Sequence, residues 1–210
     1  MTVRLIVAAA LILGSAASPA LACQKHSKPL FEDDFKNADP GWGQPDNVAA
    51  FTPLGLALTP PADGSAWRSN RNASMAHGDW CVEVVSPPNL PVPADENAVG
   101  AVGVWFWGSD LQSFYTATIT LDGKASVDRL NHGIWQVVRP PAAAPSVKTD
   151  PGATNEIEIV TNGRSAAFYV NNTPIATVTG QPPADGGFAG VYGESGPQGT
   201  TWIFRHVALY

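Results

Sequence analysis

Apolar and polar residues alternate over short segments throughout this chain, and glycine or proline interrupts the segments at close intervals. The 210 residues include 20 glycines and 19 prolines. Both residues destabilise the interior of a helix, whereas alternation with a period of two places apolar side chains on one face of a strand. The pattern disfavours a helical bundle and predicts an all-β chain of short strands.

The clearest strands lie in two groups, each with turn dipeptides of the kind that close β-hairpins. The predicted strands of these groups are 99–107, 114–121 and 125–130, then 156–161, 166–170 and 175–179. Their turns are Asp122-Gly123, Asn162-Gly163 and Asn171-Asn172. Proline-rich stretches at 87–93 and 140–145 predict loops, because proline cannot donate a hydrogen bond within a central strand. About eleven to thirteen strands at this spacing are typical of a two-sheet antiparallel jelly-roll sandwich.

Residues 1–22 have the organisation of a secretory signal peptide. Arg4 supplies an early positive charge, residues 5–13 form an apolar run, and Ala20-Leu21-Ala22 is a small-residue cleavage pattern. The apolar run is too short for the ~20 residues that span a bilayer. We therefore expect export to the periplasm or the exterior, and a single mature domain at 23–210.

The two cysteines, Cys23 and Cys81, remain in this predicted mature chain. An even number of cysteines in an oxidising compartment is most simply explained by one disulfide bond. The alternative is a lipid anchor on Cys23, since Leu21-Ala22-Cys23 is part of a lipoprotein signal.

The charge balance limits the class of partner. Lysine and arginine together number 12 against 18 aspartates and glutamates, which gives a formal net charge of −6. Without a basic cluster there is no electrostatic footprint for nucleic acid or anionic lipid.

Several strand motifs together resemble those of the concanavalin A-like lectin and glucanase superfamily of jelly rolls, which includes laminin-G-like domains. Within it the chain looks closest to bacterial 3-keto-disaccharide hydrolase-type domains. The motifs are Phe31-Glu32-Asp33-Asp34-Phe35 with Gly41-Trp42, Val102-Gly103-Val104-Trp105-Phe106 with Tyr115, Phe168-Tyr169-Val170-Asn171-Asn172, and Gly187-Phe188-Ala189-Gly190-Val191-Tyr192. The resemblance implies a jelly roll that binds or cleaves carbohydrate, since the superfamily includes lectins, carbohydrate-binding modules and glycoside hydrolases.

Catalytic carboxylates of the superfamily's β-glucan hydrolases alternate along one strand as two glutamates and an aspartate. The nearest run here, Glu156-Ile157-Glu158, lacks the central acid and the third carboxylate. We therefore assign no catalytic residue. If the chain is an enzyme acting on a modified disaccharide, the candidates for its acid or base are Asp128, His132 and Glu194.

Calcium is a common structural ligand of similar jelly rolls, and Glu32, Asp33 and Asp34 carry the oxygens that it prefers. The last strand, however, has Arg205 and His206 where the family has an acid. A positive charge there opposes a cation and can instead pair with Asp33 or Asp34. We expect no metal and no cofactor.

Aromatic residues provide the candidate binding site. Alternation places Val102, Val104 and Phe106 in the core, so Trp105 and Trp107 are expected on the outer face. The residues predicted to join them are Phe114 and Tyr192 on that face, with Asp128, Arg129 and Trp135 at its rim. Rings interleaved with hydroxyls suit a sugar.

These residues predict a non-catalytic carbohydrate-binding or cell-envelope interaction domain with a poly- or oligosaccharide partner. A glycoside hydrolase and a structural or protein-binding module are the alternatives. Loops that cover the sheet and bury its rings as a second core would favour neither sugar binding nor hydrolysis.

Overall fold

A computed structural model describes residues 28–75, 77–89, 100–184 and 186–210. These residues form strands and one short 3-10 helix, Pro40–Trp42. The strands are β1 (Phe31–Asp33), β2 (Ala49–Thr52), β3 (Gly55–Leu58), β4 (Ser65–Met75), β5 (Gly78–Val85), β6 (Ala101–Asp110), β7 (Ser113–Thr120), β8 (Lys124–Asn131), β9 (Ile134–Ala143), β10 (Thr154–Asn162), β11 (Ser165–Val170), β12 (Thr173–Thr179), β13 (Gly187–Glu194) and β14 (Trp202–Leu209).

The strands pair in two antiparallel sheets. The first has eight strands in the order β12-β11-β10-β5-β14-β3-β2, with β1 also paired to β14. The second has six strands in the order β4-β13-β6-β7-β8-β9. The predicted all-β class and two-sheet antiparallel sandwich are confirmed.

The core lies between the sheets and follows the period-two pattern of the sequence. Val102, Val104 and Phe106 of β6 are each completely buried there. Ile157 and Ile159 of β10 contribute from the other sheet. Burial of one such side chain stabilises the fold by roughly 1.5–3 kcal/mol. The inner positions of both sheets therefore accept few residue types other than apolar ones.

The predicted hairpin turns have the backbone that their residues favour, and Gly163, between β10 and β11, has φ of 56°. Gly123, between β7 and β8, has φ of 85° and donates its N–H to the carbonyl of Thr120 at 3.0 Å. Asn171 and Asn172, between β11 and β12, have φ of 51° and 65°. A tight hairpin turn requires positive φ, which glycine and asparagine adopt most easily.

Two of the longest strands lie where the sequence analysis predicts none. In β4, the segment Ser65–Met75 has no sustained apolar alternation, but it pairs with β13 at residues 65–69 and again at 74–75. In β9, Ile134–Ala143 includes Pro140 and most of its residues are exposed. Prolines are tolerated there because β9 is the edge of the six-stranded sheet, where one side of the backbone has no ladder to complete. The prediction of a loop at 140–145 is therefore wrong for residues 140–143, which belong to β9.

The first and last strands contact each other through protein groups. His206 Nε2 lies 2.9 Å from Glu32 Oε1, so the predicted link exists but uses Glu32 rather than Asp33 or Asp34. Asp33 instead accepts hydrogen bonds from the backbone N–H of Phe35 at 2.7 Å and from the indole of Trp42 at 2.8 Å. Folding without a metal stays a prediction.

The expected N-terminal features fall on residues 1–27, which lie outside the described residues. The signal peptide, the start of the mature domain and the pairing of Cys23 with Cys81 therefore stay predictions. Cys81 itself is completely buried on β5. Within the described ranges, no helix is long and apolar enough to cross a membrane.

Candidate functional site

The outer face of the six-stranded sheet carries a floor of small and hydroxyl-bearing residues. The register aligns Tyr192 of β13 with Gly103, Thr118 and Ser126 on the next three strands. Thr118 Oγ1 and Ser126 Oγ lie 3.0 Å apart, and Ser126 Oγ donates to Asp128 Oδ2 at 3.3 Å. The floor is therefore low, polar and bounded by larger side chains.

Six rings or aliphatic side chains pack on one part of this face and form what we call the aromatic cluster. Its members are Trp67, Trp105, Phe114, Leu130, Trp135 and Tyr192. The Trp105 and Phe114 ring centroids are 5.1 Å apart, and Trp67 and Tyr192 stack at 6.4 Å. The cluster is a small second core outside the sandwich.

A glycine makes room for the central ring of the cluster. A Cβ atom on Gly190 would lie 2.1 Å from Nε1 of Trp105 and 2.0 Å from the carbonyl oxygen of Arg68. That same indole donates to the Arg68 carbonyl at 3.0 Å. Glycine at position 190 thus permits the Trp105 indole to approach the backbone of β13 closely.

Burial separates the predicted aromatic site residues into two groups. Trp105, Phe114 and Tyr192 are at most 2% exposed, because the rings cover one another. Trp135, on β9, is 45% exposed. The outer-face position expected for the first three is right, but Trp135 offers the accessible ring.

Trp107 does not belong to the outer face. It has φ of 50° at a β-bulge of β6, and its ring packs in the main core against Phe106 and Tyr115. A bulge places two successive residues on the same side of a strand. Alternation therefore predicts the wrong face for Trp107.

Arg129 also lies away from Asp128. Its register partner on β7 is Tyr115, and its guanidinium carbon is 5.2 Å from the centroid of that ring. Successive residues of a strand point to opposite faces. Of these two predicted rim residues, only Asp128 therefore lies on the outer face.

A cavity of about 540 Å³ opens on the outer face beside the aromatic cluster, and we call it the groove. Strands β8 and β9 form one wall, and the end of β13 with the start of β4 forms the other. Its lining residues are Asp63, Gly64, Ser65, Gly100, Asp128, Trp135, Gln136, Val137, Tyr192, Glu194, Ser195 and Gly196.

Three ionisable groups of the groove influence one another. Tyr192 donates its hydroxyl to Glu194 Oε1 at 2.9 Å. Burial raises the pKa of Glu194, and the negative charge of Asp128 raises it further against the opposing effect of the tyrosine bond. Burial also raises the pKa of Asp128 and that of Tyr192. Both carboxyls are thus easier to protonate than ordinary ones.

The other enzyme candidate, His132, is not part of the groove. It occupies the β8–β9 turn with φ of 51°, is exposed, and its Nδ1 lies 3.0 Å from Oδ1 of Asn131. The sequence analysis missed Ser65 and Gln136, which line the groove from β4 and β9. Neither strand is predicted, so no periodic signal places these residues.

We expect Glu194→Gln to stabilise the protein at neutral pH. A carboxyl whose pKa is raised on folding opposes folding when ionised, and this cost disappears as the pH falls through the raised pKa to the ordinary value. Thermal unfolding should therefore give a higher Tm for the variant at pH 7 and equal values near pH 3. The exposed Asp150→Asn is the matched control, and a lower Tm for Glu194→Gln at pH 7 would contradict the prediction.

Comparison with solved structures identifies similar folds at low sequence identity. The carbohydrate-binding module CBM66 of Bacillus subtilis aligns at a TM-score of 0.61 and 15% identity, covering 78% of this chain and 91% of that one. The β-glucanase of Bacillus licheniformis gives a TM-score of 0.59 and 14% identity, covering 87% and 98%. The GH43 protein BlXynB of B. licheniformis, as its K247S mutant, gives 0.60 and 13%, covering 89% of this chain and 40% of that one.

No family model and no curated protein matches the sequence. At these identities the structural matches establish the fold alone. The two antiparallel sheets, their strand order and the likeness to these structures show that the chain has a concanavalin-like jelly-roll fold.

Proposed function

We propose that this chain is an exported carbohydrate-binding domain whose ligand lies in the groove of the six-stranded sheet. The observation that carries the proposal is the pairing of an accessible indole, Trp135, with two carboxylates in one cavity of about 540 Å³. This volume falls within the range of about 300–1,000 Å³ that is typical of small-molecule sites.

The lining chemistry matches the two surfaces of a sugar ring. The indole face of Trp135 can stack on the apolar C–H face of a pyranose. Asp128, Glu194 and Gln136 supply acceptors for its hydroxyl groups, and Ser65 supplies both a donor and an acceptor. Since Asp63 adds a third carboxylate, the groove favours a neutral or amino sugar over an acidic one.

The buried rings hold the accessible ring in place. Trp135 makes edge-on contacts with Phe114 and Tyr192, at centroid distances of 5.8 and 6.2 Å. A ring that is already oriented loses little conformational freedom when a ligand stacks on it. We therefore assign direct contact to Trp135 and Asp128, and a supporting role to Trp105, Phe114 and Tyr192.

A glycoside hydrolase is the second candidate, and the shared cavity of Asp128 and Glu194 favours it. Glycoside cleavage needs one protonated carboxyl as acid and one ionised carboxylate as base or nucleophile. Burial of Glu194 and the neighbouring charge of Asp128 both favour a proton on Glu194, which assigns it the role of acid. The resemblance to 3-keto-disaccharide hydrolase-type domains suggests a modified disaccharide as the substrate.

Export remains part of the proposal and rests on residues 1–22 together with the two cysteines. Buried Cys81 lies on the strand that pairs with β14, which in turn pairs with β1 at the start of the described chain. A bridge from Cys23 would tie the mature N-terminus to the middle of the eight-stranded sheet.

Replacing Trp135 with alanine should weaken oligosaccharide binding by at least about tenfold, because one stacking surface is lost. Phe188→Ala is the matched control, since Phe188 is 40% exposed on the same sheet but does not line the groove. A glycan array followed by calorimetry on the best ligand measures both variants. Equal affinities of the two variants would remove Trp135 from the site, and a wild type that binds a protein partner but no glycan would favour an interaction module.

The hydrolase candidate predicts cleavage of a reducing-end-labelled oligosaccharide or keto-disaccharide by the wild type. Glu194→Gln should then abolish turnover while binding persists, because the amide cannot donate the proton. Chromatography of the products with Asp150→Asn as control gives the comparison. Binding without turnover in the wild type would leave the non-catalytic domain.

Intact mass spectrometry of the exported protein tests its processing. We expect a chain that begins at Cys23 and gains the mass of one hydrogen pair on reduction. A diacylglycerol adduct on Cys23 would instead establish a lipoprotein, and two thiols that alkylate without reductant would exclude the bridge.

A further inference from the structure

A second, smaller cavity lies across β8 from the groove, because its residue Arg129 points to the opposite face from Asp128. It encloses about 270 Å³ beside the end of β6 and the segment that joins β12 to β13. Phe114 lines it as well, so the aromatic cluster separates the two cavities. Its lining residues are Trp107, Ser109, Ser113, Phe114, Tyr115, Arg129, Gln181, Pro182 and Pro183.

Two residues that line this second cavity, Trp107 and Arg129, have side chains that can only donate hydrogen bonds. The indole Nε1 of Trp107 is buried and has no hydrogen-bond partner in the described protein, although Trp107 is only 2% exposed. That nitrogen is closed to solvent, so the Trp107 ring lines the cavity through its other atoms.

Arg129 supplies the charge. Its Nη2 donates to Oε1 of Gln181 at 3.1 Å, and the guanidinium lies over Tyr115. The described residues contain no carboxylate in ion-pair contact with Arg129, and a guanidinium has five N–H donors. Most of its donors are therefore left for solvent or for a bound anion.

The surroundings hold the guanidinium in position. Gln181 donates its backbone N–H to the hydroxyl of Tyr115 at 3.0 Å, which fixes the ring beneath Arg129. A Cβ on Gly180 would lie 2.5 Å from the Trp107 ring, so glycine is required for this close packing. The described lining has a positive charge, whereas the groove has three carboxylates.

We infer that this second cavity is a binding site for a small carboxylate, with the guanidinium of Arg129 as the donor to its oxygens and the ring of Trp107 as part of its wall. A planar guanidinium matches the two oxygens of a carboxylate. The prolines and Phe114 provide apolar walls for the rest of the ligand. The volume admits a group no larger than a single sugar acid or amino acid, and the inference does not depend on carbohydrate binding in the groove.

Titration of the mature protein with glucuronate, acetate and glucose, followed by NMR of the tryptophan indole N–H groups, tests this site. The Trp107 resonance, assigned by its loss in Trp107→Phe, should shift with glucuronate and not with glucose. A shift with acetate as well shows that the carboxylate alone is recognised. A shift with glucuronate alone shows that the sugar ring contributes, and either result supports the site.

Arginine variants provide the control. Arg129→Gln should weaken glucuronate binding by at least about tenfold, since charged hydrogen bonds are lost. Arg129→Lys should lie between this variant and the wild type, because it keeps the charge but not the planar fork. Arg205→Gln, at an exposed position of the other sheet, should bind as the wild type does. No Trp107 shift with any carboxylate, or equal losses in Arg129→Gln and Arg205→Gln, would overturn the inference.

Discussion

The burial of apolar side chains between the two sheets is the constraint on which the rest of this structure depends. Strand β6 is completely buried on its inner side by Val102, Val104 and Phe106. Because successive residues point to opposite faces, this requirement also decides which residues reach the outer face. The floor of hydroxyl-bearing residues and the ring of Trp105 are there because the inner positions belong to the core. The function of such a domain must use the outer face, the edges or the strand ends.

On the outer face, packing within the aromatic cluster determines which rings a ligand can reach. Trp105, Phe114 and Tyr192 bury one another, and their contacts orient Trp135 at the edge strand. The rings that a sequence would nominate for stacking are therefore mostly structural. Their burial also excludes water from one side of Tyr192 and Glu194, which contributes to the raised pKa of both groups. Packing and electrostatics of the groove thus have the same origin.

Two residues show where alternation fails as a guide. Trp107 turns into the core because a β-bulge with a left-handed backbone breaks the period of β6. Arg129 lies on the opposite face from its neighbour Asp128, so one predicted rim becomes parts of two separate cavities. The cavities differ in charge, since carboxylates line the groove and a guanidinium lines the second cavity. Because Asp128 and Arg129 are adjacent in the sequence, the sequence analysis placed both at one site.

The sequence alone determined the fold class, the main core positions and the turns at Gly123, Gly163 and Asn171-Asn172, because period-two alternation and turn dipeptides are local signals. It also nominated Asp128 and Trp135 for the groove, and Glu194 as a candidate acid or base. Only the tertiary structure decided that β4 and β9 are strands, since their backbones are held by pairing with β13 and β8 rather than by their own pattern. It likewise decided which rings are accessible, because burial depends on neighbours that are distant in the chain, as Trp67 is from Tyr192.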